Sequence, residues 1–189
     1  MNDEDHARAN SGSTRANQPG HPDKSKTLHY FTPEQDKRAL FARPGIEQLR
    51  AVANGEFPPP PIGSHIGLEF SSVEDGEVVM TAVPDESHYN PVGSVHGGFF
   101  ATLLDSACGC AVHTTLPAGV AYTSLELKVS FLRAITAETG IVTARGWVTK
   151  RGRSASFAEA EIRDQEGRVL ATASSTCLII PLQEATSDR

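Results

Sequence analysis

The chain has 189 residues, of which 39% are hydrophobic and 21% are charged, with a formal net charge of −6. This length suits one domain with a substantial core and is short for two. An acidic balance offers few groups to neutralise phosphates, which argues against nucleic acid as a general partner. No apolar run approaches the ~20 residues of a membrane span, and the first ten residues lack the apolar core of a secretory signal.

The three cysteines fit neither a disulfide framework nor a CxxC pair. Cys108, Cys110 and Cys177 all lie in apolar segments. We therefore expect reduced core residues in a cytoplasmic protein.

The N-terminal third divides into two segments. Residues 1–27 contain almost no large apolar side chains and are predicted to be disordered, because they cannot bury enough surface to offset their ordering entropy. Residues 28–57 form a predicted helical extension. Its first helix should open with Thr32 as N-cap and Pro33 at the first helical position.

A second helix is predicted after Pro44, with Gly55 as its natural stop. Its predicted apolar face consists of Ile46, Leu49, Val52 and Ala53. The prolines at 58–61 are interpreted as a stiff connector that can join neither a helix nor a central strand.

From residue 58 to 181 we expect a single folded domain, followed by a flexible tail at 182–189. Short turn-forming links favour an antiparallel meander for the last four strands. A long insertion, residues 85–119, separates the second and third strands. The predicted strands cover 66–70, 76–84, 120–133, 140–150, 154–164 and 168–180, which are rich in β-branched and aromatic residues.

The insertion contains NPVGSVHGGFFATLLDSACG, residues 90–109, whose spacing predicts a largely buried helix from Gly97 to about Thr114. Asp105 lies outside the apolar stripe, on a face of small residues that allows close approach. The other residues of that face are Gly98, Ala101, Thr102, Gly109 and Val112. The stripe consists of Phe99, Phe100, Leu103, Leu104, Ala107, Cys108 and Ala111.

Asp105 is the only formally charged side chain between Ser87 and Leu125, and none of its helical neighbours can form a salt bridge with it. A simple solvent-facing aspartate is one interpretation. The scarcity of polar residues on the helix favours the other, in which a partly desolvated carboxylate acts as general base or nucleophile.

The start of the helix supplies a complementary feature. Gly97 and Gly98 leave backbone N–H groups uncovered where the helix dipole is positive, which suits a developing oxyanion; alternatively they only permit a tight entry turn. Gly97 and Asp105 are separated by about 12 Å along the axis, too far to act on one carbonyl. Either they are unrelated, or two antiparallel copies of the helix pair them across a two-fold homodimer.

The pattern N-x(5)-H-G-G-x(7)-D, followed by YTSLELKVSFLRA, resembles the hotdog-fold acyl-CoA thioesterases, in particular the phenylacetate-pathway (PaaI-like) branch. The resemblance extends over residues 60–181, with its diagnostic part at 90–131. It implies an α+β hotdog fold: a long central helix against a mainly antiparallel sheet of about six strands, here with an N-terminal helical extension. It also implies hydrolysis of an acyl-coenzyme A without metal or redox cofactor.

By this resemblance, Asp105 is the general base or nucleophile acting across the dimer interface, and Gly97 polarises the thioester carbonyl. His96 would lie near the thioester, Asn90 would orient water or the carboxylate, and the Ser124 hydroxyl would help to hold the water. Purely structural alternatives remain open: His96 at the helix start, Asn90 in a turn before proline, and Ser124 against a neighbouring strand.

Coenzyme A is a polyanion, so an acidic chain needs a local basic patch to bind it. Lys150, Arg151, Gly152, Arg153 and Ser154 form the best candidate turn, with a solvated charged turn as the alternative.

Arg133 is a weaker candidate for the phosphates. Phe99, Phe100, Leu103 and Tyr122 either shape the acyl pocket or belong to the core. His88 and His113 lack the spacing of metal ligands, and no metal site is predicted.

Three other functions fit the sequence less well. A hotdog hydratase or dehydratase would use a histidine in other motif contexts, a non-catalytic acyl-CoA-binding module would lack turnover, and a hydrolase built on Cys108 would lack an obvious base. The acyl group, and the choice between a dimer and a dimer of dimers, are not determined by the sequence.

Overall fold

The computed structural model describes residues 24–32 and 37–182, which form four α-helices and six strands. Two 3-10 turns, Glu86–His88 and Ala137–Thr139, occur in the connections. The helices are α1 (Lys37–Phe41), α2 (Gly45–Ala53), α3 (Pro61–Ile66) and α4 (Gly97–His113), and the strands are β1 (Glu69–Glu74), β2 (Glu77–Ala82), β3 (Val120–Phe131), β4 (Val142–Lys150), β5 (Ala155–Arg163) and β6 (Val169–Pro181).

The six strands form one antiparallel sheet in the order β1-β2-β4-β5-β6-β3, and α4 packs mainly against β4, β5, β3, β6 and β2. This confirms the predicted hotdog fold. The expected meander of the last four strands is wrong for β3, which pairs with β6 rather than β4. The connection at 132–141 crosses from β3, at one edge of the sheet, to β4, which lies between β2 and β5. Strands β3 and β4 therefore do not pair, because β2 and β5 are the two neighbours of β4.

Helix α4 is the centre of the core, as predicted. All seven residues of its apolar stripe are buried, although Gly109 and Val112 on the other predicted face are buried as well. The helix approaches β4 closely at Gly146, where an added Cβ would lie 2.2 Å from the carbonyl oxygen of Ala107. Helix and sheet are therefore in direct backbone proximity at this point.

The helical extension docks against the C-terminal end of α4. The Gly45 N–H donates to the Leu116 carbonyl at 2.9 Å, and a Cβ on Gly45 would lie 1.9 Å from the His113 carbonyl oxygen. The buried side of α2 is therefore Gly45, Gln48 and Ala51. The predicted face was wrong: Ala53 is exposed, and Ile46, Leu49 and Val52 are half-buried, because a glycine and a glutamine make the closest contacts.

Pro61 opens α3 at its first position, so the expectation that the 58–61 prolines join no helix was also wrong. A proline at that position loses no hydrogen bond, because the first N–H groups of a helix have no intrahelical acceptor. Ile66 ends α3 instead of starting a strand, Gly67 follows it at φ 67°, and β1 begins at Glu69.

The remaining predictions for the ends of the chain fall mostly outside the described residues. This applies to the predicted disorder of 1–27 up to residue 23, to Pro33 and to the tail from 183. Gly55 follows α2 at φ 75°, as expected for its stop. Within the described ranges, no helix has the length and apolar character needed to cross a membrane.

The sheet face opposite α4 carries the single tryptophan of the chain, Trp147 on β4. The guanidinium carbon of Arg145 lies 5.3 Å from the centre of its ring. On the same strand Ala144 and Gly146 are buried toward α4, whereas Arg145 is exposed, so Trp147 belongs to the outer face.

Candidate active site

Asp105 lies in the middle of α4 and is half-buried, facing the edge strand β3. The Ser124 hydroxyl donates to its Oδ1 atom at 2.7 Å. This contact orients the carboxylate and joins two residues that are 19 positions apart in the sequence. Asp105 has no cationic partner among the described residues, so it is a carboxylate held by a neutral donor.

One turn further along the same face of α4, Gly109 meets the side chain of Tyr122. A Cβ on Gly109 would lie 2.4 Å from the Tyr122 hydroxyl oxygen. Gly109, a small residue on the same helix face as Asp105, is therefore approached closely, as predicted. The group that approaches it is the phenol side chain of Tyr122 on β3. Burial raises the pKa of Tyr122 well above its ordinary value, so the hydroxyl remains protonated.

The N-terminal end of α4 opens onto a shallow cavity of about 340 Å³ lined by Gly97, Phe100, Phe131 and Arg133, among others. The Phe131 ring covers Gly97, and a Cβ there would lie 3.1 Å from its Cζ atom. In the described parts of the chain we find no acceptor for the Gly97 N–H. The Gly97 N–H is therefore available to donate a hydrogen bond to a bound ligand.

His96 is the N-cap of α4, and its Nδ1 atom accepts the Gly98 N–H at 2.8 Å. The Gly98 N–H is therefore already used in capping the helix. It has no hydrogen bond left for the substrate contact that was predicted for Gly98. Because Nδ1 accepts, the neutral ring carries its proton on Nε2. The side chain is exposed, so this second nitrogen is accessible as a donor.

Asn90 organises the loop before α4. Its Oδ1 accepts the Val92 and Ser94 N–H groups at 3.0 and 3.3 Å, and its Nδ2 donates to the Ser94 hydroxyl at 3.0 Å. These contacts form the turn expected of asparagine before proline. One amide hydrogen of Asn90 is left for a role in the site.

The two halves of the predicted site lie apart within a single chain. Gly97 and Asp105 belong to one continuous 17-residue helix, so their separation along its axis is about 12 Å. Ser124 lies with Asp105, whereas His96 and Asn90 lie with Gly97.

The basic turn after β4 is exposed throughout. Arg151 is ion-paired with Asp75 at 2.7 Å, whereas Lys150 and Arg153 have no carboxylate partner in the described ranges. The Ser154 carbonyl accepts the Ile179 N–H at 2.9 Å, and Ile179 pairs with Tyr122 on β3. At about 4.8 Å per strand, the turn lies about 10 Å from Tyr122. Gly152 bends back so sharply that a Cβ would meet the Ala155 carbonyl at 2.1 Å.

Phe99, Phe100 and Leu103 are buried and belong to the core, and Phe100 also lines the cavity at the N-terminal end of α4. Burial raises the pKa of the Cys108 thiol to about 12, so it is no nucleophile at neutral pH. Within the described residues, no group of three or more His, Cys, Asp and Glu side chains is arranged to hold a metal ion.

A second cavity of about 390 Å³ lies at the C-terminal end of α4, beneath the helical extension. Its wall includes His113 and Tyr122. Sequence reasoning considered His113 only as a metal ligand and missed this position. The signal was its spacing: Asp105, Gly109 and His113 recur every fourth residue and share one face of the helix.

Comparison with known proteins identifies the family to which this fold belongs. A model of the thioesterase superfamily matches residues 92–171. The crystal structure of a phenylacetic acid degradation-related protein from Ralstonia eutropha JMP134 superposes with a TM-score of 0.63 at 31% identity, covering 68% of this chain and 97% of that one.

Two similar sequences carry more specific names. A 1,4-dihydroxy-2-naphthoyl-CoA hydrolase of Listeria monocytogenes is 26% identical over 60% of this chain and 91% of its own length. Acyl-coenzyme A thioesterase 13 of Pongo abelii is 27% identical over 55% of this chain and 74% of its own. The chain belongs to the thioesterase superfamily and is a thioester hydrolase of the hotdog fold.

Proposed function

We propose that this thioester hydrolase acts on an acyl-coenzyme A and releases the free acid and coenzyme A. The observation that carries the proposal is the Asp105 carboxylate, held by Ser124 at 2.7 Å on a helix face without a cation. Two similar proteins have acyl-CoA hydrolysis in their names, which supports the same substrate class here.

In the proposed reaction, Asp105 takes a proton from water while the water oxygen attacks the thioester carbonyl carbon. The carbonyl oxygen becomes an oxyanion, which accepts the Gly97 N–H of a second copy of the chain. Collapse of this intermediate breaks the C–S bond, and the departing thiolate takes up the proton. In the nucleophilic variant, Asp105 attacks directly and water then cleaves the resulting anhydride.

The neighbouring polar groups have supporting roles in this proposal. Ser124 orients the carboxylate and the water, and the exposed Nε2–H of His96 donates near the thioester. Asn90 holds the loop before α4 and offers its remaining amide hydrogen to the water or the carboxylate.

Assembly into a homodimer follows from the distance between the two halves of the site. One helix cannot bring Gly97 and Asp105 to the same carbonyl, whereas two antiparallel helices related by a two-fold axis can. Strand β3 supports this arrangement, because it is an edge of the sheet and carries exposed Leu125 and Phe131. Pairs of dimers are a further possibility within the proposal.

The basic turn at 150–154 is the proposed site for the nucleotide phosphates of coenzyme A. Lys150 and Arg153 supply unpaired charge, Arg151 is shared with Asp75, and the backbone of Gly152 and Ser154 adds donors. We also propose the cytoplasm as location, since all three cysteines are free thiols.

The test is release of free thiol from a panel of acyl-CoAs by the wild-type protein and by Asp105→Asn. We expect kcat to fall by about 10³-fold or more in the variant, with coenzyme A binding retained. Glu126→Gln is the matched control, because Glu126 is an exposed carboxylate on β3 that accepts a hydrogen bond from the Thr176 hydroxyl. Its activity should equal that of the wild type.

Three outcomes would contradict the proposal. Tight acyl-CoA binding without turnover would indicate a non-catalytic module. Water addition to an enoyl-CoA without thiol release would indicate a hydratase. Full activity in Asp105→Asn would remove the carboxylate from the mechanism.

A further inference from the structure

Two aromatic side chains of β3 lie on glycines of α4, one on each side of the candidate catalytic carboxylate. A Cβ on Gly97 would lie 3.1 Å from the Cζ atom of Phe131, and a Cβ on Gly109 would lie 2.4 Å from the hydroxyl oxygen of Tyr122. Asp105 belongs to the helical segment between these two contacts. Within one chain, the surroundings of Asp105 are therefore bounded by an aromatic ring in each direction along the helix.

The contact between Tyr122 and Gly109 requires a residue without a side chain. A Cβ at position 109 would also overlap the ring itself, at 2.5 Å from Cε2 and 2.7 Å from Cζ. The Tyr122 backbone is paired with Ile179 in the ladder between β3 and β6, which limits any shift of the ring. A glycine inside a helix is less favourable than an alanine. Here it allows the tyrosine ring to pack directly on the helix backbone.

The helical extension supports this ring from the other side. The ring centroids of Tyr122 and His113 are 5.6 Å apart, and Nε2 of His113 lies 3.0 Å from Oε1 of Gln48 on α2. The Gln48 Nε2 group donates to the Arg43 carbonyl at 2.7 Å, which fixes the amide. Gln48 and His113 are both buried. The extension, which the superfamily match does not include, therefore holds Tyr122 against the helix through His113.

Beyond the Tyr122 ring lies the cavity of about 390 Å³ beneath the extension. Tyr122 is part of its wall, whereas Asp105 and Ser124 are not. Its described lining contains no Lys, Arg, Asp or Glu side chain. Apolar side chains from α1, α2 and β1 form much of the wall, for example Leu40, Leu49, Val52 and Phe70. The ring therefore separates Asp105 from a large apolar volume.

The two directions along α4 differ in what lies beyond the aromatic ring. Beyond Phe131, which is 57% exposed, is the shallow cavity that has Arg133 in its wall. A hydrocarbon chain there stays in contact with water and gains little from burial. Only the direction of Tyr122 leads to an apolar volume that could bury a long chain.

We propose that Tyr122 is the specificity-determining residue of the acyl site and restricts this hydrolase to short acyl groups. The inference rests on the proposed acyl-CoA hydrolysis. Asp105 and Gly109 are ~6 Å apart along the helix axis, and an extended chain advances ~1.2 Å per carbon–carbon bond. About five such bonds fit between the carboxylate and the ring. A decanoyl chain, with an extended length of ~11 Å, does not fit.

The first experiment needs no substitution. It measures kcat/KM for butanoyl-CoA and decanoyl-CoA by thiol release with the full-length wild-type protein. We expect the ratio of the decanoyl value to the butanoyl value to be below one, because the longer chain meets the Tyr122 ring. A ratio of one or more would overturn the proposal.

The second experiment removes the ring. Tyr122→Ala should raise this ratio at least about tenfold above the wild-type ratio, because the additional methylene groups are then buried against the apolar wall. Tyr122→Phe keeps the ring and should keep the ratio below one. If Tyr122→Ala does not fold, Tyr122→Leu takes its place, with an expected rise of about threefold. An unchanged ratio in the folded variant would overturn the proposal.

The third experiment identifies the volume that the longer chain enters. Added to Tyr122→Ala, Leu49→Trp fills the cavity from α2 and should return the ratio to the wild-type value. Ala53→Trp, at an exposed position of the same helix, should leave the raised ratio as it is. On its own, Leu49→Trp should not change the wild-type ratio, because the Tyr122 ring already closes off the cavity. A lower ratio in that single variant would show that the cavity already binds the acyl chain and would overturn the proposal.

The outcomes separate this inference from the proposed function. If the wild type releases no thiol from either substrate, the proposed function fails and the inference fails with it. If both substrates are hydrolysed and decanoyl-CoA is the better one, hydrolysis stands and Tyr122 does not limit the acyl group.

Discussion

The two ends of α4 differ in what covers them. At the N-terminal end, the Gly97 amide faces a shallow open cavity and His96 is exposed. At the C-terminal end, His113 is buried and the chain's own extension packs over it through Gly45 and Gln48. One helix therefore carries an open end, for which the proposed mechanism calls on a second copy, and a closed end covered by the chain's own N-terminal extension. The difference shows that the two ends can be perturbed separately.

Acid should affect the closed end most strongly. Burial holds the pKa of His113 at about 4, against an ordinary value of 6.5. Because the folded-state pKa is the lower one, the stabilisation is fully present above pH 6.5 and is lost as the pH falls toward 4. This loss should amount to about 3 kcal/mol of unfolding free energy.

The measurement is urea unfolding at neutral pH and near the acid end of that range. His113→Gln keeps a donor for Gln48 but has no titrating ring, so its stability should change less with pH than that of the wild type. Equal pH dependence in both proteins would show that His113 is accessible to protons in the folded state.

A smaller effect is expected from Gly45→Ala, which disturbs the docking of α2. The new Cβ would meet the His113 carbonyl oxygen at 1.9 Å, and a backbone atom cannot move aside as a side chain can. We expect a loss of about 2 kcal/mol and a decrease in Tm of about 5 °C. Trypsin should cleave faster after Arg50.

Gly63→Ala is the matched control for this prediction, because a Cβ there meets only Pro60 at an ordinary 3.9 Å. Its Tm should equal or exceed that of the wild type. A similar decrease in both variants would attribute the effect to glycine replacement in general rather than to docking.

The smallest effect is expected at the open end. His96→Ala removes the side-chain cap of the Gly98 N–H and should cost about 1 kcal/mol in urea unfolding. His96→Asn should restore stability, because asparagine is a good N-cap. If its acyl-CoA hydrolysis nevertheless stays low, the histidine has a role beyond capping. If both variants are as stable as the wild type, water replaces the cap at this exposed end.

Local sequence signals predicted much of this molecule. The apolar stripe of α4 lies where the helical spacing places it, and each strand begins within three residues of its prediction. Asp105 was recognisable because its isolated charge needed no knowledge of contacts. The position of β3 beside β6 was not recognisable, because strand order depends on pairing between distant segments.

The closed end shows most clearly where sequence reasoning stops. The apolar spacing of α2 favoured a face with Leu49 and Val52, but docking was decided by Gly45 and Gln48. Their partners on and after α4, His113 and Leu116, are more than sixty residues away. The Asp105–Ser124 contact, by contrast, joined two residues already singled out by the motif.

The single tryptophan allows intrinsic fluorescence to report on the outer face of the sheet but not on the side that carries α4. Trp147 lies on the outer face of β4 beside Arg145, with the whole sheet between its indole and α4. Its emission will report melting of the strands or the docking of another body on that face. Substrate binding along α4, as proposed above, should leave this emission unchanged, so kinetic work on this protein needs an extrinsic label near Tyr122.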